Sequence, residues 1–248
     1  MALLYNSAIT IFQGQNIRPP LGTFFNGQSY RLTLYPELGR SDRSVLVIRM
    51  ILQFQFQNGS GGSWTQGEKV NFAQGFVNAV VSVWNEKFRI STTSTVPAQN
   101  CRDVGVVFEF QYHIDGWHTD DDFELSITKV PINATEQTSA CQYHLGNTIL
   151  DSNDLTAQHK GSGRSQRDAV HEFGHMLGLR DEYTVANDNP YHTGDLDSVM
   201  NFGETVRERH YAPVAQWLTI QYATAAHLSR SQINYKVEWR IDMSNAGL

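Results

Sequence analysis

The chain is poor in the features that mark disulfide-rich, nucleic-acid-binding and membrane-spanning proteins. Its two cysteines, Cys101 and Cys141, allow at most one disulfide and are also an ordinary number for a reduced protein. The formal net charge of −6 is small for 248 residues and is not clustered. A surface that binds nucleic acid or an anionic membrane needs concentrated positive charge, so we expect neither partner.

Long apolar runs and a leader-like start are missing as well. No stretch approaches the roughly 18 consecutive apolar residues of a membrane-spanning helix. Met1 to Thr10 lacks the basic start and the apolar stretch of a secretory signal. We therefore expect a soluble protein without a cleavable signal. Low complexity is confined to the glycine-serine patch at 59–63, which is a candidate linker or a surface loop within one domain.

The apolar residues that are present, 40% of the chain with the aromatic ones counted, suffice for a core and recur with clear periods. A period of two predicts strands at 52–57, 107–112, 123–127 and 233–242. Helical spacing predicts one helix at about 71–88 and another that starts at Pro213. The mixture predicts an α+β fold.

The most informative segment contains His171, Glu172 and His175. Two histidines four residues apart lie on the same face of a helix, so both imidazoles can bind one metal ion. Glu172 projects beside them, where its carboxylate can accept a proton from an activated water. Ser165 with Asp168 resembles an N-terminal cap for this helix.

A third metal ligand is expected just after the helix. Gly178 is suited to end the helix, and the turn that follows can bring Asp181 back toward the metal. Glu182, the next residue, and His210 are alternative ligands, or residues that orient a ligand or stabilise the oxyanion. Three protein ligands leave a fourth position for water, as in catalytic zinc sites.

The segment from His171 to Asp181 resembles the metzincin superfamily of zinc endopeptidases, in the aspartate variant found in the small bacterial snapalysins. Metzincins also have a methionine-bearing turn beneath the metal, and Met200 within residues 198–202 is similar to it. Many metzincins carry a tyrosine two residues after that methionine, where this chain has Phe202. Tyr183 and Tyr211 are phenols that could donate a hydrogen bond to the oxyanion of the reaction, although packing is the more ordinary role for either residue.

The resemblance implies a fold, a cofactor and a reaction. It implies a metzincin-like catalytic domain at 66–230, in which a twisted mixed sheet packs on helices, followed by the active-site helix, the methionine turn and a C-terminal helix. Residues 1–65 would add a β-rich region, separate or part of the same domain, and 231–248 a C-terminal strand. One catalytic Zn²⁺ would support hydrolysis of a protein or peptide substrate, with Glu172 as general base.

Other readings of the sequence remain open. The acidic run at 118–122 is a candidate Ca²⁺ site, although a solvated loop is the more ordinary explanation. The zinc site could serve a binding module with a vestigial peptidase site. A protease effector or toxin delivered by a dedicated export apparatus would equally lack a cleavable signal.

Overall fold

The fold is built on a mixed β-sheet in a computed structural model that describes residues 3–15, 30–97, 99–134, 139–142, 145–160, 163–183 and 192–239. The predicted α+β class is confirmed. The strands are β1 Phe12–Gln15, β2 Arg31–Pro36, β3 Ser44–Gln57, β4 Phe88–Ser91, β5 Asp103–Ile114, β6 Phe123–Thr128, β7 Ala140–Gln142, β8 Asn147–Asp151, β9 Gln158–Lys160, β10 Arg164–Gln166 and β11 Lys236–Trp239. The helices are α1 Gln66–Trp84, α2 Asp168–Met176 and α3 Ala212–Ala225.

The long strand β3 is the centre of the main sheet, whose order is β11-β4-β5-β3-β6-β8-β7. Parallel β5 covers one edge of β3 from Ser44 to Phe54. The other edge is shared, because antiparallel β2 covers its first half and parallel β6 its second half. Asp122 fills the gap between them: its amide donates to the Ile51 carbonyl, and its carboxylate accepts from the Ile51 amide, both at 2.7 Å.

Helix α1 follows β3 and packs its apolar face on the sheet, where Phe76 contacts Phe54 edge to face. It begins earlier than predicted, because Thr65 and Glu68 form a capping box. It also ends earlier, since Phe88 belongs to β4. The hydrophobic period therefore located the helix, and the local capping and sheet pairing set its ends.

Helix α2 packs against the end of α1. The Trp84 indole N–H donates to the Val170 carbonyl at 3.0 Å, and the Trp84 ring contacts Phe173 edge to face. The predicted N-terminal cap was wrong: Ser165 lies in β10, and the N-cap residue is Arg167, whose side chain makes no capping hydrogen bond.

The two ends of the chain meet the same sheet. Strand β1 pairs with β2, and β11 pairs antiparallel with β4. Positions 240–242 of the predicted last strand lie outside the described residues. The glycine-serine patch lies against the end of β6, where the Gly61 amide donates to the Lys129 carbonyl at 3.1 Å. Pro213 lies in the first turn of α3, as predicted.

Both cysteines are free thiols. No α-helix within the described ranges combines the length and the apolar character that crossing a bilayer requires.

Candidate metal centre

The imidazoles of His171 and His175 are oriented by main-chain carbonyls. His171 Nδ1 lies 2.8 Å from the Val199 carbonyl oxygen, and His175 Nδ1 lies 2.8 Å from that of Leu179. A carbonyl oxygen only accepts hydrogen bonds, so each Nδ1 carries a hydrogen and donates it. In the neutral rings, the lone pair is then on Nε2, the atom that faces the centre of the site.

Asp181 brings a third electron-pair donor to the same point. Its Oδ1 lies 3.1 Å from Nε2 of both histidines, and the two Nε2 atoms are 3.2 Å apart. Three hydrogen-bond acceptors at this separation repel one another, and protonating both imidazoles would place two positive charges side by side. A divalent cation satisfies all three, and tetrahedral zinc holds such ligand atoms about 3.3 Å apart.

The charge of the Asp181 carboxyl is set by the two imidazoles. Burial alone would raise its pKa, but the adjacent imidazoles of His171 and His175 hold the pKa well below its usual range. Burial also acts to lower the pKa of His175, which the Asp181 carboxylate raises overall. Asp181 is therefore an anion at neutral pH, the form in which a carboxylate binds metal.

Glu172 lies beside these three residues with one carboxylate oxygen unused. Its side chain is buried, and Oε2 has no hydrogen-bond partner among the residues that the structure describes. A carboxylate oxygen of Glu172 and the ligand nitrogens of His171 and His175 all lie within 4.8 Å of one another. Burial raises the pKa of Glu172, while the two histidines oppose that shift. A buried carboxylate oxygen without a partner is rare in folded proteins and calls for a functional explanation.

Gly178 ends the helical turn as the sequence predicts. Its φ is +84°, a left-handed conformation that suits glycine, and its amide donates to the His175 carbonyl at 2.8 Å. The regular helix ends slightly earlier, at Met176. The chain reverses here, and Asp181 reaches the two histidines across this turn.

The turn around Met200 supports the site through its main chain. The Val199 carbonyl accepts from His171, and the Met200 carbonyl accepts from the Glu182 amide at 2.8 Å. The Met200 side chain is fully buried beside Gly174. Gln166 in turn fixes this segment, because its side-chain amide lies 2.9 Å from the Val199 carbonyl oxygen.

Glu182 and His210, the alternative third ligands, have other partners. Glu182 is buried, and its carboxylate accepts two hydrogen bonds from the Arg209 guanidinium at 2.6 and 2.7 Å. Burial would raise the pKa of Glu182, but Arg209 and His210 hold it far below its usual range. His210 accepts from the Arg207 amide through Nδ1, and its Nε2 lies 3.3 Å from Glu182. Of the three candidates, Asp181 is the one that meets the imidazoles.

The two tyrosines differ in their access to the centre. The Tyr183 ring lies 6.1 Å from the His171 ring and stacks on Phe202 at 5.4 Å, and the residue is 39% exposed. Burial and the Asp181 carboxylate both raise the pKa of the Tyr183 phenol. Tyr211 is buried, and its hydroxyl donates to the Trp84 carbonyl. Tyr183 is therefore the phenol that can meet a ligand at this site.

The sequence did not identify Gln166, Arg209 and Trp84 as residues of the site. They support it by binding Val199, Glu182 and Val170, respectively. No motif identifies them, because each acts through a contact with a residue that is distant in the chain. The sequence feature that could have pointed to Gln166 is its position, two residues before the start of α2.

A second group of potential ligands consists of His113, near the end of β5, and His118 and Asp120, in the loop between β5 and β6. The two rings stack at 3.8 Å with an angle of 7° between their planes. Imidazole lone pairs lie in the ring plane, so stacked rings do not direct them to one ion. In the acidic run proposed for Ca²⁺, the Asp122 carboxylate is buried and bonded to the Ile51 amide.

Comparisons of the chain with family models, with curated proteins and with solved structures found no match. The functional argument therefore depends on the geometry of this centre.

Proposed function

We propose that this chain is a zinc-dependent endopeptidase of metzincin-like architecture, acting on protein or peptide substrates. The observation that carries the proposal is the convergence of His171 Nε2, His175 Nε2 and Asp181 Oδ1 within 3.1–3.2 Å of one another. Glu172 lies beside them, and its buried Oε2 has no hydrogen-bond partner among the described residues. A purely structural zinc site has four protein ligands and no need of such a group.

His171, His175 and Asp181 would hold the ion. When bound, zinc supplies Lewis acidity, which polarises a peptide carbonyl and makes water a nucleophile near neutral pH. Glu172 accepts a proton from the attacking water and transfers it to the nitrogen of the leaving amine. Its burial supports this role, because a carboxylate with few competing hydrogen bonds is a stronger base.

Tyr183 is proposed to donate a hydrogen bond to the oxyanion that forms when water adds to the peptide carbonyl. Its raised pKa keeps the phenol protonated, and Phe202 supports its ring by stacking. Phe202, at the position that many metzincins fill with tyrosine, would thus support the ring of Tyr183, which follows the ligand Asp181 in the chain.

The arrangement of the elements adds coarser support. A mixed sheet packs on α1 and α2, and the methionine-bearing turn and α3 follow the motif helix. This order agrees with the metzincin scheme that the resemblance implies.

Glu172→Gln tests the proposal most directly. We expect zinc to remain bound while casein hydrolysis falls by roughly 10²–10⁴-fold, because the ligands stay and the proton acceptor is lost. Zinc content and casein cleavage would be measured together, with and without a chelator. His113→Ala is the matched control, since it removes a histidine near the end of β5, away from the proposed metal centre, and should change neither measurement.

Two results would overturn the proposal. Wild-type protein that binds no zinc would remove the metal centre. The second result is zinc-loaded protein, both wild type and Glu172→Gln, that cleaves neither casein nor an unbiased peptide library. It would favour a binding module with a vestigial peptidase site.

A further inference from the structure

We propose that Glu182, held by Arg209, is the residue that positions the metal ligand Asp181. The proposal rests on the metal centre described above and concerns how its third ligand is kept in place. Glu182 is the next residue in the chain, and only 3% of its surface is exposed. Its main chain and its side chain are both anchored, and this fixes the peptide unit that follows the ligand.

The main-chain anchor is the turn around Met200. The Glu182 amide donates to the Met200 carbonyl at 2.8 Å, and the preceding carbonyl, that of Val199, accepts from the His171 ring. Two consecutive carbonyls therefore bind His171, which is a metal ligand, and Glu182, which is the neighbour of the ligand Asp181. A shift of Glu182 relative to this turn would move Asp181 relative to His171.

The side-chain anchor is the guanidinium of Arg209. It forms two hydrogen bonds to the Glu182 carboxylate at 2.6 and 2.7 Å and a third to Asp195 at 2.7 Å. Arg207 also binds Asp195 with two hydrogen bonds, at 2.6 and 2.9 Å. The two cations balance the two anions, so the network is neutral. A planar guanidinium with several fixed partners holds the Glu182 carboxylate in one orientation, which the single ammonium group of a lysine could not do.

His210 adds a further contact to the same carboxylate. Its Nδ1 accepts from the Arg207 amide at 3.1 Å, so its hydrogen is on Nε2, 3.3 Å from both Glu182 and Ser198. Burial lowers the pKa of His210, which keeps the ring neutral. Glu182 thus accepts from Arg209 and faces the His210 donor, and little freedom remains for the side chain.

Asp181 itself is less enclosed, with 28% of its side chain exposed. A partly exposed carboxylate can adopt other rotamers, which lowers its affinity for an ion unless its backbone is fixed. Residues that orient metal ligands commonly contribute 10- to 100-fold to metal affinity. Glu182 has the burial and the contacts for that function, and it does not contact the reacting atoms.

The test measures the zinc dissociation constant of the full chain by competition with a chromophoric chelator. We expect Glu182→Gln and Arg209→Lys each to weaken zinc binding by roughly 10- to 100-fold. Because the two residues act through one contact, the double variant should be no weaker than the single variants. Glu109→Gln is the matched control, since Glu109 is also bound by two hydrogen bonds from an arginine, Arg49, at a different place in the fold. Its zinc affinity should stay within twofold of wild type.

Loss of structure is separated from loss of positioning by the unfolding temperature of each metal-free variant. If Glu182→Gln does not fold, the apolar pair Glu182→Met with Arg209→Met replaces it, because buried ion pairs often tolerate such replacement. A folded variant with weakened zinc binding supports the proposal. A folded variant with wild-type affinity overturns it and leaves the proposed peptidase function intact, whereas wild-type protein without zinc overturns both.

Discussion

At the scale of single residues, the metal centre combines groups that the sequence identifies with contacts that it does not. The motif spacing brings together His171, His175, Asp181 and Glu172, and their binding of zinc stays a prediction. The carbonyl that orients His171 belongs to Val199, 28 residues away. Such contacts depend on tertiary structure, so spacing along the chain cannot predict them.

The charge of the third ligand should be visible in the pH profile of activity. An anionic carboxylate neutralises more of the charge of zinc than a neutral imidazole, so Asp181→His should make the attacking water more acidic. We expect the acid limb of kcat/KM to move down by roughly one pH unit. A profile measured from pH 5 to 9 checks this, and a limb that moves upward would contradict it.

Gly174 is required by the packing beneath the centre. A Cβ at this position would lie 2.1 Å from the Met200 sulfur and 3.1 Å from the Trp84 ring, and both side chains are fully buried. Gly174→Ala should therefore lower the free energy of unfolding by about 1–3 kcal/mol, although alanine favours helix. Urea denaturation measures the change. When Met200→Ala is added to Gly174→Ala, part of the strain should be relieved, so the double variant should lose less stability than the sum of the two single variants. Losses that simply add would argue against the clash.

At the scale of secondary structure, periodicity predicted several of the elements in which one face meets solvent. Strand β6 was predicted to within one residue, since its side chains alternate between core and surface. The first half of β3 was missed, because its residues are almost all buried and show no alternation. The predicted start of α1 was late, because its first turn is polar and is defined by Thr65 and Glu68.

Asp122 replaces a strand partner between β2 and β6 and should make stability depend on pH. Burial raises its pKa to about 6 from an ordinary value of 3.8, so the folded protein binds this proton more tightly than the unfolded chain. The contribution of Asp122 to stability is then greatest at low pH and falls as pH rises from about 4 to 7. Relative to Asp122→Asn, wild type should lose up to about 3 kcal/mol across this range. Denaturant unfolding of both proteins at pH 4.5, 6 and 7.5 measures the difference, and a constant difference would refute the pKa shift.

At the scale of the whole molecule, the N-terminal strands belong to the same sheet on which the helix α2 of the metal centre packs. Strand β3 pairs with β5 from Ser44↔Val104 to Phe54↔Ile114, a separation of 60 residues along the chain. Pairing of this range leaves no local pattern in the sequence. Composition could therefore suggest a boundary near residue 65. It could not show that the strands before this boundary pair with strands after it.

Removal of residues 1–65 should consequently prevent folding of the remainder. The fragment 66–248 lacks β3, so β5 and β6 would each lose their shared neighbour and α1 its apolar support. We expect that thermal unfolding of this fragment, followed by circular dichroism, shows no cooperative transition. We also expect trypsin to cleave the fragment rapidly at a low enzyme ratio. A fragment that unfolds cooperatively and binds zinc would show that 66–248 is an independent domain.

The position of β3 also has a consequence for the nascent chain. During synthesis β2 can pair with β3 at once, but β5 and β6 are translated only later. At a translation rate of roughly 5–20 residues per second, the other edge of this apolar strand stays unpaired for several seconds, until β5 and β6 have been synthesised. Unpaired apolar edges bind chaperones or one another, so the yield of folded protein should respond to translation speed between residues 58 and 114.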